Sequence, residues 1–308
     1  TNQILSLTNN NLWDKYSVSK WKDNWWSPEM VFVTNPTSMH INVAIKALLN
    51  DAFVFIEKPL SHKWAGVEDL IEAEKGYGKK KIAIGYQFRF HPMLKLLKKN
   101  LENYSIGNIV SARFINGEYM PNWHPYEDYK ASYAARKNLG GGALVTQIHD
   151  FDYAMWLFGK PKKLYSVGGQ LSNLEIDVED SVQILMHFEK NKKSIPVSIH
   201  LDYLQWPPQR SISIIGDKGS IICNLSTMEI VINDRVNDNI EKHDFSNFDR
   251  NQLFLDEMAN FLAFTIGNED PVSDLVNSSN SLKLALTAKK SMSSGKVEKI
   301  LWTLHDKK

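Results

Sequence analysis

Cysteine is almost missing from this sequence. The one thiol, Cys223, excludes an internal disulfide framework and a cysteine-based zinc site. It suits the cytoplasm. Net charge is almost missing too. With 36 Lys and Arg against 35 Asp and Glu, the balance of +1 makes no case for nucleic acid or an acidic partner. No apolar run reaches the roughly 18 residues of a membrane span. The start, Thr-Asn-Gln-Ile-Leu-Ser-Leu, lacks the basic residues and long apolar run of a signal peptide. There is no internal repeat and no low-complexity tract. The nine histidines are scattered, with no pair at a ligand spacing beside carboxylates on one helix face, so no metal site is expected.

What is present reads as an α/β protein. The chain has 308 residues, enough for two domains. Met30 to Thr34, Phe53 to Ile56 and Lys81 to Tyr86 are short apolar runs, as in strands covered on both faces of a parallel sheet. Helical patterns lie between them, at about Met39 to Leu49 and Lys63 to Glu74. That alternation is the signature of parallel crossovers. All three strands end in polar loops: Asn35 to Ser38, Glu57 to Pro59, and Gln87 to His91. Ligands in such sheets sit outside the carboxyl ends of the strands. A helix from about Met93 to Asn103 leads into a strand-rich region. There Val197, Ile199, Leu201 and Tyr203 alternate with Ser198, His200 and Asp202, which predicts a mainly antiparallel open sheet with one face packed. Two helices, Asn251 to Ile266 and Ser278 to Ser293, close the chain. The pattern divides it into 1–95, a Rossmann-like parallel unit, and 96–308, an α+β unit with the large open sheet.

Two residues stand out chemically. Lys58 follows a buried strand and precedes Pro59, which fixes the turn; the bland alternative is a solvated corner. His149 lies in a predicted helix from Ala143 to Phe158. Leu144, Ile148, Phe151, Met155 and Phe158 form its core face, while Thr146, His149 and Tyr153 share another. Gly140, Gly141 and Gly142 precede it and allow close approach of backbone or ligand. Asp150 and Asp152 flank the histidine and could orient it. Aromatic residues crowd near prolines and charges, as in Trp123-His124-Pro125-Tyr126, which suits a sugar-like ligand or an interface.

Taken in order, Val33 to His40, Glu57-Lys58-Pro59-Leu60, Gly85 to Pro92, and Gly140-Gly141-Gly142 followed by His149 and Asp152 resemble the Gfo/Idh/MocA oxidoreductases. The resemblance runs over nearly the whole chain from about Met30. It implies a dinucleotide-binding domain joined to a domain whose large sheet mediates oligomerisation, as a homodimer or homotetramer. It implies hydride transfer between NAD or NADP and a sugar, amino sugar or sugar nucleotide. Lys58 and His149 take the catalytic roles. Asn35, Pro36, Thr37, His40, Glu57, Lys58, Pro59 and Gln87 meet the cofactor, with a Lys58–Pro59 bond that is cis in similar proteins. Arg89, Trp123, His124, Tyr133, Arg136, Thr146 and Tyr203 are the substrate candidates.

Two departures temper this. The family opens with a strand, a Gly-x-Gly-x-x-Gly turn and a helix that cradles pyrophosphate. Gly76-Tyr77-Gly78 lacks the third glycine, and Gly140-Gly141-Gly142 lies in the wrong half. A βαβ unit of roughly 30 residues is therefore expected to be missing, through fragmentation or natural loss. Many members also carry an aspartate one turn before the histidine, where this chain has Thr146. The alternative to an enzyme is a truncated, non-catalytic relative that serves as a binding or oligomerisation module.

Overall fold

The computed structural model describes residues 5–6, 28–190 and 193–302. The weakly patterned stretch 7–27 lies outside the described residues.

The first sheet is parallel and has four strands in sequence order: β1 (Leu5–Ser6), β2 (Met30–Val33), β3 (Phe53–Glu57) and β4 (Ile82–Gly85). Val33 pairs with Ile56 and Glu57 with Gly85, so the strands end together and their polar loops share one edge. Helix α1 (His40–Leu49) links β2 to β3, and α2 (Val67–Lys75) links β3 to β4. Val31, Val33, Val54, Ile56, Ile82 and Ile84 are buried with Val43, Ala47, Leu48 and Leu70 of these helices. The period-two alternation sends Phe32, Phe53 and Phe55 to the opposite face.

That face is covered from far along the chain. Phe261 and Phe264, from a helix over Asn251–Thr265, make edge-on contacts with Phe32, Phe53 and Phe55 at centroid distances of 5.3 to 5.4 Å. The outer edge of β4 is covered as well. The Ile84 amide donates to the Ser273 carbonyl at 2.9 Å, and Ala83 pairs antiparallel with Asp274.

After helix α3 (Pro92–Glu102) comes a second, nine-stranded sheet. Its strands are β5 (Ile109–Gly117), β6 (Lys163–Gly169), β7 (Ser181–Lys190), β8 (Lys193–Asp202), β9 (Gln209–Gly216), β10 (Gly219–Asn224), β11 (Glu229–Asp234), β12 (Asn239–Asp244) and β13 (Glu298–Lys299). They lie in the order β12-β11-β10-β9-β5-β8-β7-β6-β13. Only the central β5–β8 pair is parallel, so the expected open, mainly antiparallel sheet is present. Helices α4 (Ala143–Thr146), α5 (His149–Phe158), α6 (Asn251–Thr265) and α7 (Leu275–Ser294) complete the chain. α7 packs along β6 and α5 against β7, which buries one face. The other face leaves Tyr165, Val167, Leu185, Ile215 and Ile222 exposed.

Two expectations need correction. The single helix from Ala143 to Phe158 is broken after Thr146, and at Gln147 the backbone leaves helical geometry. There the Gln147 side-chain amide donates to the Asp202 carbonyl at 2.9 Å, anchoring the break to the end of β8. Strand β12 was not anticipated, because Asn-Ile-Glu-Lys-His-Asp is polar and mostly exposed on an edge.

Candidate active site

The site forms where the parallel sheet edge meets the break between α4 and α5. In an unbroken helix the Thr146 carbonyl would accept the Asp150 amide. Here the Asp150 amide goes to the Gln147 carbonyl at 3.3 Å. The Thr146 oxygen is left to accept from Lys58 Nζ at 3.2 Å. Lys58 stands at the end of β3, and its peptide bond to Pro59 is cis. The break thus joins the two sheets through one lysine.

His149 opens α5, only 3% exposed. Its ring meets Phe88 edge-on at 4.8 Å and Tyr86 at 5.6 Å. Its Nδ1 is buried with no protein partner. Burial, then the positive charges of Lys58, Arg210 and Arg250, hold its pKa well below the ordinary histidine value. The imidazole is therefore neutral near pH 7 and can accept a proton. Burial also lowers the Lys58 pKa, against the pull of Glu57.

The flanking aspartates are engaged elsewhere. Asp150 accepts from Asn116 Nδ2 at 2.8 Å and from the Tyr153 hydroxyl. Asp152 binds Arg89 at two points, 2.6 and 3.0 Å, and receives the Ser281 hydroxyl at 3.3 Å. Arg89 also lies 4.9 Å from the Trp156 ring. Arg89 is thus held in an ion pair, where substrate contact was expected.

The loop after β2 is shaped from behind by His40. Its Nδ1 is 2.8 Å from the Pro59 carbonyl and its Nε2 is 2.8 Å from the Asn35 carbonyl. It ties the Asn35 and Pro59 loops together rather than pointing outward. Both side-chain polar atoms of Asn35 are buried without partners, as are Thr34 Oγ1 and His62 Nδ1. Thr37 and His62 approach Gly140 so closely that a Cβ there would crowd both. Pro36 precedes the turn Thr37–Met39, and Gln87 is buried at the start of the next one. Unpaired amide and hydroxyl groups along this edge fit the polar face of a nicotinamide riboside, which offers donors and acceptors of its own.

Among the substrate candidates, Trp123 and Tyr203 pack edge-on at 5.0 Å, and Trp123 Nε1 is buried and unpaired. Burial, then the charge of Glu57, pushes the Tyr133 hydroxyl up to about 12. Thr146 contributes its carbonyl. The Arg136 carbonyl accepts the Gly141 amide at 2.9 Å. His124 is more peripheral, exposed and 3.1 Å from the Tyr126 hydroxyl.

Three residues escaped the sequence reading. Arg210 lies 4.5 Å over the Phe88 ring, with its Nη2 3.5 Å from Asp150. Arg250 adds positive charge to Lys58 and His149. Glu257 is buried on α6, with Oε1 unpaired, and burial, then the Glu57 charge, pushes it up to about 9. The only sequence signals were a charge after Pro207-Pro208 and an acid among the apolar residues of α6.

A small parallel sheet with a polar carboxyl edge, joined to a large, helix-backed, mainly antiparallel sheet, is a Rossmann-like α/β architecture. Residues 7–86 match the model of the oxidoreductase family with an NAD-binding Rossmann fold, and residues 94–222 match the GFO/IDH/MocA C-terminal domain. The chain belongs to the Gfo/Idh/MocA oxidoreductase family, which includes NAD-dependent sugar and polyol dehydrogenases. It is 27% identical to the myo-inositol 2-dehydrogenase of Thermotoga maritima, over 86% of this chain and 77% of that one. It is 30% identical to the inositol 2-dehydrogenase of Salmonella typhimurium over 45% of this chain, and the match spans only 38% of that relative. The fold is similar to a levoglucosan dehydrogenase solved in complex with NADH. The TM-score is 0.80 and the identity 18%, covering 98% of this chain and 91% of the other.

Proposed function

We propose that this chain moves a hydride between NAD or NADP and a hydroxyl or keto carbon of a sugar, amino sugar or sugar nucleotide, with Lys58 and His149 managing the proton. The observation that carries this is the hydrogen bond from Lys58 to the Thr146 carbonyl, one turn before His149. It brings a lysine amine and a neutral imidazole to one site. Nicotinamide, when bound, takes or returns the hydride. In the oxidising direction His149 accepts the hydroxyl proton as the hydride leaves, and in the reducing direction it returns it. Lys58 stabilises the negative charge that builds on the oxygen. Asn35, Pro36, Thr37, Glu57, Pro59 and Gln87 line the cofactor side, and His40 fixes their loops. Trp123, Tyr133 and Tyr203 shape the substrate side, with Arg136 and His124 farther out. The names of the inositol and levoglucosan relatives support a polyol or sugar substrate.

The test begins with titration by NADH and NADPH, followed by fluorescence or calorimetry, and continues with a sugar screen. Saturable binding is expected. Lys58→Ala and His149→Ala should each lower turnover roughly 100-fold or more, the usual scale for a general acid–base. Wild-type rates in both variants would sink the assignment.

We further infer that copies pair through the exposed face of the large sheet, as a homodimer or homotetramer. Tyr165 faces Leu185 across β6 and β7 there, an apolar pair open to solvent. Among the described residues no helix is long and apolar enough to cross a membrane. The single buried thiol, Cys223, supports a cytoplasmic setting.

A further inference from the structure

We propose that Arg210 is the anion-recognition residue of the substrate pocket, and that the sugar carries a carboxylate close to its reacting carbon. This rests on the reading of Lys58 and His149 as the proton-handling pair. Both groups pack on the Phe88 ring, the Arg210 guanidinium over it at 4.5 Å and the His149 ring edge-on at 4.8 Å. Arg210 and His149 thus share one aromatic neighbour, and the Arg210 charge acts on His149.

The guanidinium is underused where it stands. Its Nε is buried and has no partner. Its one carboxylate neighbour, Asp150, is 3.5 Å from Nη2, long for a charge-assisted bond. Asp150 already takes the Asn116 amide and the Tyr153 hydroxyl. An arginine has five donors in a planar fork that matches a carboxylate at two points. Here the Nε edge of that fork is left for something the chain does not supply.

The surrounding charge favours an anion. Lys58, Arg210 and Arg250 all act on His149 with the same sign. The opposing acids are weakened by burial, which raises Asp150 and Glu57 and pushes Glu257 up to about 9. His91, stacked on Phe88 at 5.8 Å, is held down to about 4 by burial and then by Arg210, so it stays neutral. A carboxylate on the substrate would balance the pocket.

The chain loaded with NADH is titrated by calorimetry with D-glucuronate, D-glucose and D-glucose 6-phosphate. Glucuronate should bind at least about tenfold tighter than glucose, a margin one charge-assisted fork can provide. Arg210→Gln should bring the two sugars to similar affinity, and Arg210→Lys should recover part of the preference. Melting curves of both variants report on folding. Equal binding of glucuronate and glucose by the wild type, or a preference that survives in Arg210→Gln, overturns the proposal. Tighter binding of glucose 6-phosphate than of glucuronate overturns the carboxylate and assigns a phosphate ester. If the folded chain fails to bind NADH, the dehydrogenase reading falls first and takes this proposal with it. NADH binding without a glucuronate preference removes this proposal alone.

Discussion

Glu257 is a carboxyl kept protonated inside a site that also holds Glu57 and Lys58. Its pKa rises from an ordinary 4.5 to about 9, chiefly through burial, then through the Glu57 charge, with Lys58 opposing. A group that binds its proton more tightly folded than unfolded loses stability as pH rises. For Glu257 that loss runs from about pH 4.5 to about pH 9. Glu257→Gln removes the proton dependence but keeps the shape. It should stabilise the protein near pH 8 by ~1–3 kcal/mol, the scale of an unsatisfied buried polar atom, with no gain near pH 4.5. Urea melts at the two pH values check this. At this scale Lys58 and His149 drew attention in the sequence because each has an unusual local setting, a base before a proline and a histidine after three glycines. Arg210 and Glu257 were not, because their meaning comes from Phe88, Asp150 and Glu57, all distant in sequence.

At the scale of elements, the glycine run sets where α4 begins. A Cβ on Gly141 would overlap the Tyr133 and Ala134 carbonyl oxygens, both backbone atoms that cannot swing aside. Gly142 has φ of +113° with the Glu179 carboxylate pressed against it. Gly141→Ala should therefore cost ~1–3 kcal/mol, as overpacking usually does. It should also lower turnover, because it shifts Thr146 and His149, and weaken cofactor binding, because Gly140 beside it packs on Thr37 of the β2 loop. Stability and steady-state kinetics measured on one preparation separate the two effects. Periodicity revealed the helix at 143–158 and its apolar face. It could not reveal the break, because Gln147 is an ordinary helix former and its reason to leave the helix is the Asp202 carbonyl. Strands and crossovers up to Tyr86 were legible for the opposite reason, since short apolar runs and polar turns are local signals.

At the scale of the molecule, the large sheet has one dry face and one open face. Leu185 is 54% exposed midway along β7 on the open one, opposite Tyr165 and Ser198. Leu185→Glu should shift the protein to smaller species in light scattering while leaving the melting curve of dilute protein nearly unchanged. An unaltered mass would remove this face as the contact between copies. The return of residues 251–274 to the first sheet was the largest feature hidden from sequence reading. Nothing local in Phe261 or Ser273 names β3 or β4 as its destination.

That return also sets an order of events in the cell. A chain is made from its N-terminus, and domains usually fold as they emerge. Here β2 to β4 leave the ribosome well before the aromatic cover of their outer face and the partner of β4, because the whole second sheet except β13 is made in between. Through that interval the nascent sheet carries a bare phenylalanine face and an open edge, the kind of surface that chaperones shelter. The first sheet is therefore begun before the second and completed after most of it.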